Sequence, residues 1–165
     1  MKILVLSDSH SALTPMRRFL HTVRPDAVIH LGDHYEDAQA LAEEYPHIPF
    51  HPVAGNCDRY RCPVSAREML CYKVGGVMLF MTHGHNHHVK LGIGALLKDA
   101  RSYGAAAALY GHTHQAQCYQ EPDGLWVLNP GACGYGGGTA GLIETDGKKI
   151  TACRVIGQAD LEEMK

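Results

Sequence analysis

The stretch Lys2-Ile3-Leu4-Val5-Leu6-Ser7-Asp8-Ser9-His10 decides the fold. Ile3 to Leu6 is an unbroken apolar run, so it does not alternate as a half-buried strand would. It is too short to span a membrane or to form the apolar core of a secretory leader. A short β-branched run of this kind suits a strand buried on both faces, as in parallel sheets. The polar cluster Asp8-Ser9-His10 follows directly. In open α/β sheets, ligands bind outside the carboxyl ends of the strands. The same arrangement recurs along the chain. Ala27–Leu31 precedes Gly32-Asp33, and Phe50–Val53 precedes Gly55-Asn56-Cys57-Asp58. Val77–Met81 precedes Thr82-His83-Gly84-His85, and Ala105–Tyr110 precedes Gly111-His112-Thr113-His114.

Helical patterns separate the early runs. Thr14-Pro15 reads as an N-cap and first-turn pair, with Met16, Phe19, Leu20 and Val23 at helical spacing. Asp37–Tyr45 and Val89–Tyr103 read as further helices, the latter ended by Gly104. Strand, helix, strand, helix, strand predicts βαβ units and a parallel sheet. The C-terminal third differs: Gln115–Gln120, Leu125–Leu128, Thr139–Glu144 and Lys149–Ile156 read as short strands in antiparallel hairpins, with turns at Pro122-Asp123-Gly124 and Asp146-Gly147. Two mixed sheets with helices outside is the packing this order predicts. The charged last residues form a short helix or fray.

A chain of 165 residues with 45% apolar and 19% charged residues reads as one globular domain, residues 1–165. Net charge is −2, with no basic patch and no like-charge run, which argues against a long nucleic-acid partner. With no export signal or membrane span, the expected location is the cytoplasm. There the six cysteines stay reduced. None forms a C-x-x-C pair, so a zinc ribbon is not expected, and most read as small buried hydrophobes.

Histidine is over-used: there are 12, scattered along the chain, and many follow an apolar run. Each polar cluster alone has an ordinary explanation as a turn or a cap. Together and in order they deliver carboxylate, amide and imidazole donors to one rim, a set suited to hard and borderline divalent ions. Glycines 32, 55, 84 and 111 would let backbone come close to such ions.

These motifs together resemble the calcineurin-like metallophosphoesterase superfamily, and more narrowly its small bacterial and archaeal phosphodiesterase branch (the YfcE-like group). Asn129-Pro130-Gly131-Ala132 is similar to the Asn-Pro-Gly-Ser segment of that branch. The resemblance runs from residue 3 to about residue 145. It implies an α/β fold, a four-layer α/β-β/α sandwich of two mixed sheets flanked by helices. It also implies two divalent metal ions, with Mn first and Fe, Ni, Co, Zn or Mg as alternatives. Asp8, His10 and His114 would complete one site and Asn56, His83 and His112 the other, with Asp33 bridging. The implied reaction is hydrolysis of a small phosphoester, a diester above a monoester, by a water or hydroxide between the ions. Family members often pair, which adds a homodimer to the expectations.

One position departs from the superfamily pattern. Where many members have Gly-Asn-His-Asp, this chain has Gly-Asn-Cys-Asp, a replacement the small branch shares. A thiol protonates an alkoxide poorly, so good leaving groups are favoured. Asn56, His83 and His85 are the candidate transition-state donors, with a supporting place behind the ligands as the alternative for His85. Asp58 orients a ligand or the neighbourhood of Cys57, or serves only the turn. His34, His87 and His88 are secondary candidates, and His21, His30, His47 and His51 read as surface or satisfied core residues. Arg59 and Arg61 read as a solvated loop, with phosphate contact as the alternative. By resemblance, Gly134–Gly138 lies near the site. The competing function is a non-catalytic interaction module on the same fold, the use made of it by the eukaryotic retromer scaffold subunit. A complete ligand set favours the enzyme.

Overall fold

The computed structural model describes residues 1–134 and 138–164. In chain order the elements are β1 (Lys2–Leu6), α1 (Leu13–Val23), β2 (Ala27–His30), α2 (Tyr35–Glu44), β3 (Phe50–Pro52), β4 (Met69–Val74) and β5 (Val77–Thr82). Then follow α3 (Gly94–Ser102), β6 (Ala107–Leu109), β7 (Gln117–Gln120), β8 (Trp126–Asn129), β9 (Thr139–Thr145), β10 (Ile150–Gly157) and α4 (Asp160–Glu163). Two 3₁₀ turns, Asn56–Asp58 and His85–His87, sit at strand exits.

The strands form two five-stranded mixed sheets, ordered β10-β9-β1-β2-β3 and β4-β5-β6-β8-β7. β1, β2 and β3 run parallel, as do β5, β6 and β8, while β9, β10, β4 and β7 add antiparallel partners. Alternation along buried strands builds the layers. Ile3, Val5 and Ile29 face Leu79, Leu109 and Leu128 between the sheets. Leu4, Leu6 and Val28 turn outward onto Met16, Phe19 and Leu20 of α1 and Leu41 of α2. Phe80, Ala108 and Val127 turn the other way onto Leu96, Leu97 and Ala100 of α3. The result is the four-layer α/β-β/α sandwich. Each buried large aliphatic or aromatic side chain contributes about 1.5–3 kcal/mol.

Several local expectations need correction. Thr14 is not the N-cap of α1: the helix starts at Leu13, and Ala12 holds the cap position without a side-chain bond. Pro15 still lies in the first turn, where its missing N–H costs nothing. At the far end Arg24, at φ 48°, closes the helix with its N–H on Leu20 O. The third helix starts at Gly94 rather than Val89, because Gly92 at φ 145° cannot continue a helix. β4 was not expected. It pairs with β5 through the two-residue turn Gly75-Gly76, both at positive φ, the backbone a tight hairpin requires. The last residues do form a short helix, α4, whose Leu161 is buried.

Candidate metal centre

All five motifs lie where strands leave the same rim. Asp8 and His10 follow β1, Asp33 follows β2, Asn56 follows β3, His83 and His85 follow β5, and His112 and His114 follow β6. Five of these have left-handed backbones despite carrying side chains: Asp8 (φ 54°), His10 (45°), Asp33 (57°), His112 (66°) and His114 (58°). That conformation costs a non-glycine residue on the order of 1–2 kcal/mol, and such strain concentrates at functional sites.

Asp8 is fully buried and its two oxygens have different surroundings. Oδ2 accepts from the Ser7 hydroxyl at 2.5 Å and from His112 N–H at 3.1 Å. Oδ1 accepts no hydrogen bond, although His114 Nε2 is only 3.0 Å away. The two atoms therefore approach each other without the direction of a hydrogen bond, as ligands facing a common point do.

A second convergence centres on His83. Its Nδ1 is 2.7 Å from Leu31 O, which makes Nδ1 the donor and leaves the Nε2 lone pair facing the rim. Around Nε2 lie Asn56 Oδ1 at 3.1 Å, His112 Nδ1 at 3.2 Å and Asp33 Oδ1 at 3.4 Å. Four electron-rich atoms this close repel unless a cation lies among them. Burial opposes charging His83, but the Asp33 hydrogen bond and the Asp8 and Asp33 charges outweigh it, so its pKa rises. Burial would likewise raise Asp33, yet His83 and the Cys57 N–H hold its carboxyl well below the usual range. Burial, helped by His83 and Lys90, pulls His112 down to about 4, so it presents a neutral lone pair.

Two groups of acidic and imidazole residues could thus hold an ion: Asp8, His10 and His114, and Asp8, Asp33 and His83. The donor chemistry fits divalent metal at both. Asp8 is common to the two groups, and Asp33, the bridge that the resemblance implies, places its Oδ1 3.4 Å from His83 Nε2.

The supporting residues were only partly visible in the sequence. Asp58 is buried, and its oxygens accept the backbone N–H groups of Asp33, His34, Tyr35 and Gly55 at 2.7–3.0 Å. Both oxygens are occupied by backbone. Oδ2 thus serves both its own turn, through Gly55, and the Asp33 backbone. Cys57 is exposed; burial of its thiol, then the Asp33 carboxylate beside it, pushes it up to about 11. His85 has a buried Nδ1 without a hydrogen-bond partner, and its Nε2 is 3.8 Å from Glu68 Oε1. A cleft of about 340 Å³ beside Asn56 and His85 is also lined by Arg59, Glu68 and Asn86. Arg59 thus borders the site, whereas Arg61 lies 3.6 Å from Glu36. His34 stacks edge-on against His10, with ring centroids 5.1 Å apart. His87 points instead to Asp99, at 3.2 Å. Asn129 braces the histidine loop, donating to Gly111 O and the Thr113 hydroxyl. Within the glycine-rich loop, residues 135–137 lie outside the described residues.

The calcineurin-like phosphoesterase superfamily domain matches residues 1–148, and the chain belongs to that superfamily. A probable metallophosphoesterase of Mycoplasma pneumoniae is 31% identical over 134 residues, covering 79% of this chain and 78% of the relative. Phosphodiesterase MJ0936 of Methanocaldococcus jannaschii is 28% identical over 169 residues, 90% of this chain and 96% of the relative. Among solved structures, a conserved uncharacterized protein of Streptococcus pneumoniae TIGR4, a predicted phosphoesterase, superposes with TM-score 0.70 at 24% identity, covering 94% and 97% of the two chains. Entamoeba histolytica Vps29 complexed with zinc superposes with TM-score 0.69 at 19% identity, covering 96% and 99%, a likeness of fold alone. Among the described residues no helix is long and apolar enough to cross a membrane.

Proposed function

We propose that this chain is a phosphodiesterase that hydrolyses small phosphoesters with two divalent ions. The observation that carries the reading is the convergence of lone-pair donors around Asp8 Oδ1 and His83 Nε2. One ion would be held by Asp8, His10 and His114, the other by Asn56, His83 and His112, with Asp33 between them. When bound, the ions supply an activated water and polarise the phosphoryl oxygens for in-line attack. The protein's part is to hold the ligands rigidly. Asp58 fixes Asp33, Leu31 O fixes the His83 tautomer, and Ser7 turns Asp8. Asn56 Nδ2 and His85 border the cleft and are the donors offered to a developing negative charge.

The high thiol pKa of Cys57 leaves no strong acid at that position, which favours diesters with good leaving groups. Manganese is the metal we expect to support turnover best. The partner is a small phosphoester rather than long nucleic acid or membrane, the compartment is the cytoplasm, and pairing as a homodimer is part of the same reading. Similarity to phosphodiesterase MJ0936 supports the diester assignment. The missing imidazole at Cys57 is what favours the second reading, a metal-binding interaction module.

The test is an assay of metal-free protein on bis-p-nitrophenyl phosphate and p-nitrophenyl phosphate with added Mn²⁺, alongside Asp33→Asn and His112→Ala. Metal-dependent cleavage, faster on the diester and lost in both variants, is expected. Metal binding without turnover of either substrate would favour the interaction module. No metal binding would refute both.

A further inference from the structure

Behind the rim lies a polar network that the motif pattern does not include. Ser9 and His30 are fully buried, and Asp37, in the first turn of α2, is 6% exposed. The Ser9 hydroxyl donates to Asp37 Oδ2 at 2.7 Å, and the Ser11 backbone N–H donates to the same oxygen at 2.8 Å. The Ser9 oxygen also lies 3.2 Å from His30 Nε2 and 3.3 Å from Asp33 O. One carboxylate oxygen on a helix thus grips the residues on either side of His10, and Ser9 directly follows Asp8.

The grip has something to resist. Asp8, His10 and Ser11 are all left-handed, at φ 54°, 45° and 67°. A loop with this much backbone strain relaxes unless it is held. On the α1 side the Ala12 N–H donates to Ser9 O, and Ala12 has no side-chain cap to offer; from the β2 exit, Gly32 O accepts the Asp8 N–H and His34 Nδ1 lies 3.0 Å from the Ser11 hydroxyl. Asp37 is the charged group that reaches into the loop and keeps its shape. It does so from an element that carries none of the proposed ligands.

We propose that Asp37 is a positioning residue. Through Ser9 and Ser11 it holds Asp8 and His10 in the conformation that binds an ion, and so sets the affinity of the Asp8–His10–His114 site without touching metal. This rests on the dinuclear reading above. Removing groups that orient metal ligands typically lowers affinity about 10–100-fold. The loss should be greatest at that site, because His83 and His112 have anchors of their own in Leu31 O and in Asn129 bound to Gly111 and Thr113, and meet the loop only through the His112 N–H on Asp8 and the Ser9 hydroxyl near Asp33 O.

The experiment is a calorimetric titration of metal-free protein with Mn²⁺, with Co²⁺ absorption as the coordination readout. It compares wild type with Asp37→Ala, Asp37→Asn, Ser9→Ala and His10→Ala. Wild type should bind two ions. Asp37→Ala should weaken one of them about 10–100-fold and change the other less than about threefold. Asp37→Asn retains an amide oxygen for both donors and should restore most of the loss. Ser9→Ala should fall between, and Asp37→Ala should cost less in a His10→Ala background than in wild type, because only its hold on Asp8 is then left to lose. Equal loss at both sites, failure of Asn to restore affinity, or unchanged binding in both Asp37→Ala and Ser9→Ala would overturn the proposal. Were Asp37→Ala not to fold, Ser9→Ala and Asp37→Asn decide alone. Wild type binding a single ion would refute the dinuclear reading, and the role of Asp37 would then be judged on that ion. No binding at all would overturn both.

Discussion

Replacing Asp58 with Asn asks how much of the rim depends on one buried carboxylate. Its two oxygens accept four backbone N–H groups, from Asp33, His34, Tyr35 and Gly55. Asparagine keeps one acceptor oxygen and turns an NH₂ toward the remaining pair, so two hydrogen bonds are lost. A bond to a charged group contributes about 1.5–3 kcal/mol, which makes the loss about 3–6 kcal/mol. Some is returned, since Asp33 or His34, at φ 57° and 73°, is freed to leave the left-handed region. That relief offsets about 1–2 kcal/mol, leaving a net loss of about 1–5 kcal/mol. Against a total of about 5–15 kcal/mol for a domain, this is readily measured. Urea unfolding of the metal-free variant should show it as a lower midpoint at unchanged slope. Mn²⁺ affinity should fall as well, because Asp33 loses its anchor. A loss below about 1 kcal/mol would refute the idea that Asp58 holds the second motif.

Chelation should destabilise the loaded protein. One site at a hundred times its dissociation constant adds about 2.7 kcal/mol, or about 5–11 °C for a domain of this size; a calorimetric scan with and without EDTA that shows no shift would count against metal binding. Burial pulls His30 from 6.5 down to about 4. The unfolded chain then takes up a proton that the folded one refuses, so metal-free stability should fall by roughly 3 kcal/mol between pH 6.5 and 4 and change no further below that on this group's account. His30→Asn should flatten that part of the curve in urea unfolding at pH 7, 5.5 and 4. Cys57→His should raise kcat/KM on esters with poor alkyl leaving groups by about 10²-fold while leaving aryl diesters within a few fold; an unchanged ratio would mean that this position does not face the leaving group.

The ligands were legible because each follows a strand whose apolar run is continuous. Sequence alone places Asp8, Asp33 and His83 at strand ends. Their supports were not legible. Asp37 and Asp58 act through backbone amides of residues distant in sequence, and no spacing rule links Asp58 to Tyr35 or Asp37 to Ser11. His30 looked like an ordinary core residue, and its value to Ser9 is visible only once β1 and β2 pair in register. The long apolar spacing from Val89 into α3 misled because packing on Phe80 continues across Gly92 even though the helix does not. β4 was obscured by Tyr72 and Lys73, polar-edged residues on the outermost strand of its sheet.

The rim is shared between the two sheets: Asp8, His10, Asp33 and Asn56 leave one, and His83, His112 and His114 leave the other. What separates them is the layer of Ile3, Val5, Ile29, Leu79 and Leu109. Such interiors are close-packed and barely compressible. The thickness of an oily layer thus acts as a gauge block for the gap across which ligands from the two sheets must meet. A methylene added or removed deep in that layer would reset how the two halves of each proposed ligand set converge, tuning the chemistry from residues that no substrate meets.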